Sequence, residues 1–192
     1  MRRMIAGLVV AISASAVTAG WAFAQSKSHH PRHGQQGSEY AALKDRPVKA
    51  LSETQIADLR AGRGMGLALA AELNGFPGPL HVLQLADPLA LTPGQRDQIE
   101  AQIERMKGET SAIGEEVIAR ETELDGLFAS RAITPASLDA VTSRLGQRQA
   151  ALRAAHLKYH LSTVAALTPD QVHRYNVLRG YATDHAGHGV KP

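Results

Sequence analysis

Two long stretches of the chain repeat apolar residues at intervals of three and four, the period of an amphipathic helix. The first stretch follows Thr92, and its apolar positions are Ile99, Ile103, Met106, Ile113, Val117, Leu124 and Leu127. The second follows Thr134, and its apolar positions are Leu138, Val141, Leu145, Leu152 and Tyr159. Only residues 130–134 separate the two, so the pattern predicts a long antiparallel helical hairpin with helices of about 45–55 Å. The predicted fold class is all-α.

Three short motifs predict where helices begin. Each contains a leucine, then a serine or threonine, and a glutamine three positions after the hydroxyl residue. The three sets are Leu51, Ser52 and Gln55, then Leu91, Thr92 and Gln95, then Leu167, Thr168 and Gln171. The hydroxyl can cap a helix, and the glutamine at the third helical position can bond back to close a capping box. The motifs therefore predict short helices before and after the hairpin.

The two ends of the chain differ from this helical middle. Residues 1–24 combine Arg2 and Arg3, an apolar run and the small-residue pattern Ala22-Phe23-Ala24, the layout of a secretory signal peptide. An uncleaved membrane anchor is the alternative. Residues 25–50 have no apolar periodicity and predict a disordered linker. The helical domain is expected over 51–181, followed by a flexible histidine-containing tail over 182–192.

Composition excludes several classes of function. The chain has no cysteine, so neither a disulfide nor a lipidated N-terminal cysteine is available. No basic run with interleaved aromatic residues is present, so a nucleic-acid partner is not expected. No catalytic motif appears, and we do not expect an enzyme. The glycine-rich segment 62–66 follows no strand, so it predicts a helix break or a close packing contact rather than a phosphate loop.

Histidines supply the candidate metal chemistry. His156 and His160 are four residues apart on a predicted helix, which places both imidazoles on one face. His81 precedes the hairpin and is a candidate third ligand, and Glu100 or Glu104 a candidate carboxylate. Such ligands suit Zn, Ni, Co or Cu. The alternative is that His156 and His160 are partly exposed helix residues. Terminal histidines can bind metal weakly or serve as polar tails, and they are His29, His30, His33, His185 and His188.

The boxes at residues 91–95 and 167–171, which flank the predicted hairpin, resemble the LTxxQ motif of the periplasmic Spy/CpxP family. The resemblance covers about residues 80–181. It implies a periplasmic, ATP-independent chaperone (holdase) that binds unfolded or misfolded envelope proteins and requires no cofactor. The alternative is a heavy-metal sensor or buffer similar to CnrX or ZraP, which passes its signal to a membrane sensor protein. The CnrX ligands do not transfer residue by residue, because Leu85 stands where a second histidine would follow His81.

A hairpin of two helices buries only a stripe on each helix, so we expect a homodimer and flanking helices that fold back. For the holdase, the expected binding surface interleaves basic and apolar residues of the hairpin, the alternative being an ordinary solvated face. Its members are Arg105, Lys107, Arg120, Arg144, Arg148 and Arg153 with Met106, Ile118, Leu145 and Leu152.

Overall fold

The computed structural model describes residues 40–183, and within this range the chain is helical and contains no strand. A short 3-10 helix, Ala41–Leu43, precedes six α-helices. These are α1 (Glu53–Arg60), α2 (Leu69–Glu72), α3 (Pro79–Gln84), α4 (Pro93–Ala129), α5 (Pro135–Ala166) and α6 (Pro169–Leu178). The long helices α4 and α5 pack against each other as a hairpin with short flanking helices, which confirms the predicted fold class. The predicted signal peptide and histidine clusters lie outside the described residues.

The hairpin has the predicted dimensions. Helix α4 has 37 residues and α5 has 32, which correspond to about 55 and 48 Å. Neither helix contains an internal proline, so neither is interrupted. The connecting turn reverses the chain through Arg131, which adopts a left-handed backbone conformation with φ of +56°. Helix α3 packs against α4 near its N-terminus, and α1 packs against the middle of α4.

Capping boxes begin all four helices whose first turn follows a serine or threonine. Ser52, Thr92 and Thr168 each accept a hydrogen bond from the glutamine N–H three residues on, and that glutamine side chain accepts from the cap N–H. Thr134 forms the same box with Ser137. A proline occupies the first helical position of α4, α5 and α6, where no N–H is required. The three predicted motifs are therefore helix starts.

The second and third boxes also bind each other. Gln95 Nε2 donates to Gln171 Oε1 at 2.9 Å, and Gln171 Nε2 donates to Gln95 Oε1 at 3.1 Å. The same two amides reach backbone carbonyls, at Ala166 for Gln95 and at Leu89 for Gln171. Each glutamine thus closes its own helix cap and joins the N-termini of α4 and α6 at the base of the hairpin.

Two apolar clusters hold the flanking segments to the hairpin. The base cluster consists of Val82, Ala86, Leu89, Leu91, Ile99 and Tyr175. The middle cluster consists of Val48, Leu59, Val117, Ile118, Leu145 and Leu152. Between these clusters, five polar side chains of α4 and α5 are buried: Gln102, Thr110, His156, His160 and Thr163. We call these five residues the polar belt.

Three details differ from the sequence-based expectation. The predicted linker extended to Ala50, but Val48 is buried in the middle cluster, so ordered structure begins earlier. Leu138, assigned to the apolar stripe of α5, is 36% exposed. Thr110, a polar interruption of the α4 pattern, is fully buried because its hydroxyl donates to the carbonyls of Met106 and Gly62.

The glycine-rich segment 62–66 is the close packing contact that its composition predicted. Gly62 has φ of +64°, and a β-carbon there would lie 2.5 Å from Thr110 Oγ1. Gly66 has φ of +77°. The segment therefore turns tightly against α4 before α2 begins. None of the helices in residues 40–183 has the length and apolar character needed to cross a membrane.

Candidate functional site

Helix α5 presents His156 and His160 toward the flanking segments and not toward solvent. Their spacing of four residues places them one turn apart on the same face. His156 is 4% exposed and His160 is 8% exposed. The alternative interpretation of partly exposed helix residues is therefore wrong, because α2, the glycine-rich segment and the loop before α3 cover this face of α5.

His160 is oriented by a backbone carbonyl. Its Nδ1 lies 2.6 Å from the Phe76 carbonyl oxygen, which can only accept, so Nδ1 carries the proton. The lone pair of the neutral ring is then on Nε2. This is the arrangement in which a histidine is prepared for a metal, with one nitrogen hydrogen-bonded to the protein and the other free to coordinate.

His156 lacks such a hydrogen-bond partner on Nε2. Its Nε2 is buried and has no hydrogen-bond partner in the described part of the chain. Burial lowers the pKa of His156, and the neighbouring charge of His160 lowers that pKa further. A neutral imidazole is the form that binds a metal, so the environment keeps His156 in the required protonation state.

Two glycines lie against the histidine rings, and at one of them, Gly78, a β-carbon would collide with the ring. At Gly78, a β-carbon would lie 2.9 Å from Cε1 and 3.0 Å from Nε2 of His160. At Gly64, a β-carbon would lie 3.9 Å from Nδ1 of His156. Gly78 therefore permits a backbone approach to His160 that a larger residue would obstruct.

His81 reaches the same region from another helix. It lies on α3, and its Nδ1 is 3.0 Å from Gln84 Oε1. His81, His160 and Glu72 line one cavity of about 290 Å³, together with residues of the glycine-rich segment. The structure thus brings two of the three predicted histidines to one cavity, while His156 lies beside it under Gly64.

Glu72 is the carboxylate of this region, and sequence reasoning missed it. Its Oε2 lies 3.8 Å from His160 Nδ1, and the side chain is buried at the end of α2. The proposed carboxylates Glu100 and Glu104 are both exposed on α4, and neither lines the cavity with His160 and His81. A signal existed in the sequence, because Glu72 interrupts a run of alanine and leucine residues that has no other charge nearby.

The residue types at this site suit a transition metal, but their side chains are not positioned to coordinate one together. Neutral imidazoles with a carboxylate suit Zn, Ni, Co or Cu(II). The unpaired Nε2 of His156 is an available donor. Within residues 40–183, however, no three side chains of histidine, aspartate or glutamate converge closely enough to hold an ion. Coordination by all of them requires movement of α2, α3 or the glycine-rich segment.

The surface predicted for chaperone clients has exposed basic residues, but most of its apolar residues are buried. Ile118, Leu145 and Leu152, three of its four apolar members, are buried in the middle cluster beneath α1. Among its basic members, Arg120 and Arg144 both pair with Glu123, and Arg148 pairs with Glu116. The prediction was wrong because the hairpin pattern alone does not show which stripe the flanking helices cover.

A different apolar patch is exposed next to the histidine site. It joins α2, the loop before α3 and the outer face of α5. Its members are Leu69, Leu73, Phe76, Leu157 and Leu161. Leu161 is 59% exposed and Leu73 is 58% exposed, values that are high for leucines beside a cavity. We call these five residues the apolar patch.

Comparison with known proteins places the site within a family. The sequence model of a heavy-metal-resistance family matches residues 65–174, more than half of the 192-residue chain. The match covers His81, His156 and His160. Comparisons with curated proteins and with solved structures gave no significant match. The family includes CnrX-, ZraP- and Spy-like proteins and is typically periplasmic, which confirms the predicted relationship at the level of the family. By this match, the chain belongs to the heavy-metal-resistance family.

Proposed function

We propose that this protein binds a heavy-metal cation in the periplasm through His156 and His160, and that it acts as a metal sensor or buffer rather than as an enzyme. The observation that carries the proposal is the buried, unpaired Nε2 of His156 one helical turn from His160. A buried polar atom without a partner costs about 1–3 kcal/mol. Metal coordination would satisfy that atom.

The remaining ligands come from the flanking helices. His81 on α3 and Glu72 on α2 line the cavity with His160, so both can approach a cation held by α5. A divalent cation supplies a positive charge that attracts these donors. Because the donors belong to three different helices, occupancy favours a closer association of α2 and α3 with α5. This coupling is what a sensor needs in order to change its surface when metal is present.

Metal titration of a suitable background tests the proposal. The background carries alanine at His29, His30, His33, His185 and His188, so that terminal binding does not mask the internal site. Zn, Ni, Co and Cu are titrated separately, with affinity measured by competition against a chromophoric chelator. Replacing both His156 and His160 by alanine is expected to lower affinity about 100-fold or more, since two ligands are lost.

His173→Ala is the matched control, because His173 is exposed on α6 and lies outside the cavity. Its affinity is expected to equal that of the background. Equal affinity of the background and the His156→Ala, His160→Ala double variant would rule out the internal site.

A second candidate function is that of a holdase, and the apolar patch favours it. Exposed leucine and phenylalanine side chains on adjoining elements can bind apolar segments of an unfolded chain. Basic residues that the structure leaves exposed, such as Arg153, can attract acidic clients. The partners in this case are unfolded envelope proteins.

Aggregation of a reduced client protein, followed by light scattering without ATP, tests the holdase. Leu73→Asp and Leu161→Asp together are expected to abolish suppression, because they place charges in the apolar patch. Phe128→Asp is the control. Phe128 is 55% exposed, but it lies at the C-terminal end of α4, next to the turn of the hairpin, and is not part of the apolar patch. Equal suppression by both variants would show that the apolar patch does not bind clients.

A further inference from the structure

The carboxylate of Glu72 has partners on two sides. Glu72 is the last residue of α2 and is 6% exposed. Its Oε2 accepts a hydrogen bond from the Gly78 N–H at 3.1 Å and lies 3.8 Å from His160 Nδ1. Its Oε1 accepts a short hydrogen bond from the Tyr175 hydroxyl and another from the Tyr181 hydroxyl at 3.3 Å.

The second group of partners holds the C-terminal helix. Tyr175 lies on α6 and is completely buried, and Tyr181 follows the end of that helix. Arg179, the residue after α6, places its Nε 3.7 Å from the same Oε1. Three side chains of the segment 175–181 therefore converge on one oxygen of Glu72. The other oxygen, Oε2, lies on the side of His160, and Glu72 lines the cavity together with His160 and His81.

We propose that Glu72 links metal binding at the histidine cavity to the attachment of α6: a cation bound at His160 draws the carboxylate toward the cavity and releases Tyr175, Tyr181 and Arg179. This inference rests on the proposed metal-binding function and states how occupancy of that site is transmitted. The cation competes with the three C-terminal side chains for one buried anion.

The release of α6 follows from the loss of the hydrogen bond between Tyr175 and Glu72. The Tyr175 hydroxyl has no partner other than Glu72 among its hydrogen bonds in the described chain. When the carboxylate turns away, that hydroxyl is left unpaired in a fully buried position, which is unfavourable. The hydroxyl recovers a partner only if α6 moves enough to admit water. Loosening of α6 is thus the expected result of metal binding.

Thermodynamic linkage predicts in which direction the metal affinity changes when the hydroxyl is removed. If metal and the Tyr175 hydroxyl compete for Glu72, removing the hydroxyl must strengthen metal binding by the same factor that metal weakens the hydroxyl contact. Tyr175→Phe in the terminal-histidine-free background is therefore expected to raise Zn affinity about five-fold or more. A residue that merely supports the site would instead lower the affinity or leave it unchanged when altered.

Two further variants make the affinity test specific. Tyr159→Phe is the matched control, since Tyr159 donates to a different carboxylate, Glu109, at 3.0 Å, and its Zn affinity should not change. Tyr181→Phe removes the weaker of the two hydroxyl contacts from a side chain that is 37% exposed. It should raise the affinity by a smaller factor, and it provides the measurement if Tyr175→Phe does not fold.

Hydrogen exchange measured by mass spectrometry reports on α6 directly. Zn should accelerate exchange in residues 169–182 of the background protein, and Glu72→Gln should abolish this response because an amide attracts the cation weakly. If Zn binds through His156 and His160 but leaves exchange of α6 and the tyrosine-variant affinities unchanged, the link through Glu72 is wrong and the metal site stands. If Zn binding does not depend on the two histidines, the proposed function is wrong as well.

Discussion

At the scale of the residue, the buried imidazoles of the polar belt are defined by what each nitrogen contacts. His160 has its proton fixed on Nδ1 by the Phe76 carbonyl. His156 has a buried nitrogen without a partner and a pKa lowered mainly by burial. The two rings differ in hydrogen bonding although the same helix carries them one turn apart. That difference makes His156 the residue whose protonation disturbs the fold.

The stability of the metal-free protein should decrease as the pH falls below about 6.5, the ordinary pKa of histidine. The folded state lowers the pKa of His156, so below this pH the unfolded chain binds a proton that the folded chain excludes. Above this pH neither state is protonated and the residue contributes no pH dependence. The measurement is Tm between pH 8 and pH 5 in the presence of a chelator.

His156→Gln should flatten this part of the Tm profile, while His173→Gln, at an exposed position of α6, should leave the profile unchanged. A profile that stays equally steep in His156→Gln would assign the pH dependence to another group.

At the scale of the element, helix ends and helix crossings depend on different information. The capping boxes involve residues three positions apart, so their sequence is sufficient to predict them. The bonds between Gln95 and Gln171 join residues 76 positions apart. One glutamine side chain in each box therefore has a local role and a tertiary role.

Replacing Gln95 by glutamate separates these two roles. Glutamate can still accept from the Thr92 N–H, but it has no N–H₂ to donate to Gln171 and to the Ala166 carbonyl. The loss of these two donated hydrogen bonds predicts a decrease of about 1–3 kcal/mol in the free energy of unfolding. Gln55→Glu keeps its box on α1, and within residues 40–183 Gln55 has no hydrogen bond to another helix, so it should change stability by less than about 0.5 kcal/mol. Urea unfolding measures both values.

The crossing of α1 over α4 predicts opposite effects for two glycines of α4. A β-carbon at Gly114 would overlap the Leu59 carbonyl of α1, whereas a β-carbon at Gly108 meets nothing within 4 Å. Gly114→Ala should therefore destabilise the protein by about 1–3 kcal/mol. Gly108→Ala should stabilise it by about 0.5–1 kcal/mol, the ordinary gain for a helix interior. Equal effects of the two substitutions in urea unfolding would contradict this crossing.

These contacts show which parts of the fold and the site are predictable from sequence. The hairpin, its turn and its caps follow from local spacing, and so does the shared face of His156 and His160. Glu72 does not, because its partner Tyr175 is 103 residues away. The burial of Ile118, which lies outside the predicted apolar stripe of α4, was also missed, since it depends on where α1 crosses the hairpin. The hydrophobic pattern identifies the apolar face of a helix, but the tertiary packing determines which element covers that face.

At the scale of the whole molecule, the described chain is stabilised by two separate apolar clusters with the polar belt between them. Ile99 of the base cluster and Ile118 of the middle cluster are both buried on α4. Their separation of 19 residues corresponds to about 28 Å along the helix. The clusters therefore share a helix but no side-chain contact, and each should respond to substitution independently.

Ile99→Val and Ile118→Val test this independence. Each removes one buried methylene group and should cost about 0.5–1.5 kcal/mol. The double variant should cost the sum of the two within about 0.5 kcal/mol, as expected for sites without common neighbours. A deviation larger than this in urea unfolding would show that the polar belt transmits strain between the clusters.

The reciprocal glutamine pair has a consequence for how such chains can vary in length. Gln95 and Gln171 meet at the end of the hairpin where the chain enters and leaves it, far from the turn at Arg131. Insertion or deletion of equal numbers of heptads in α4 and α5 would change the length of the hairpin while leaving the bonds between the two glutamine amides intact. Relatives that retain both glutamines can therefore differ in the length of the hairpin, provided that the two long helices change by the same number of residues.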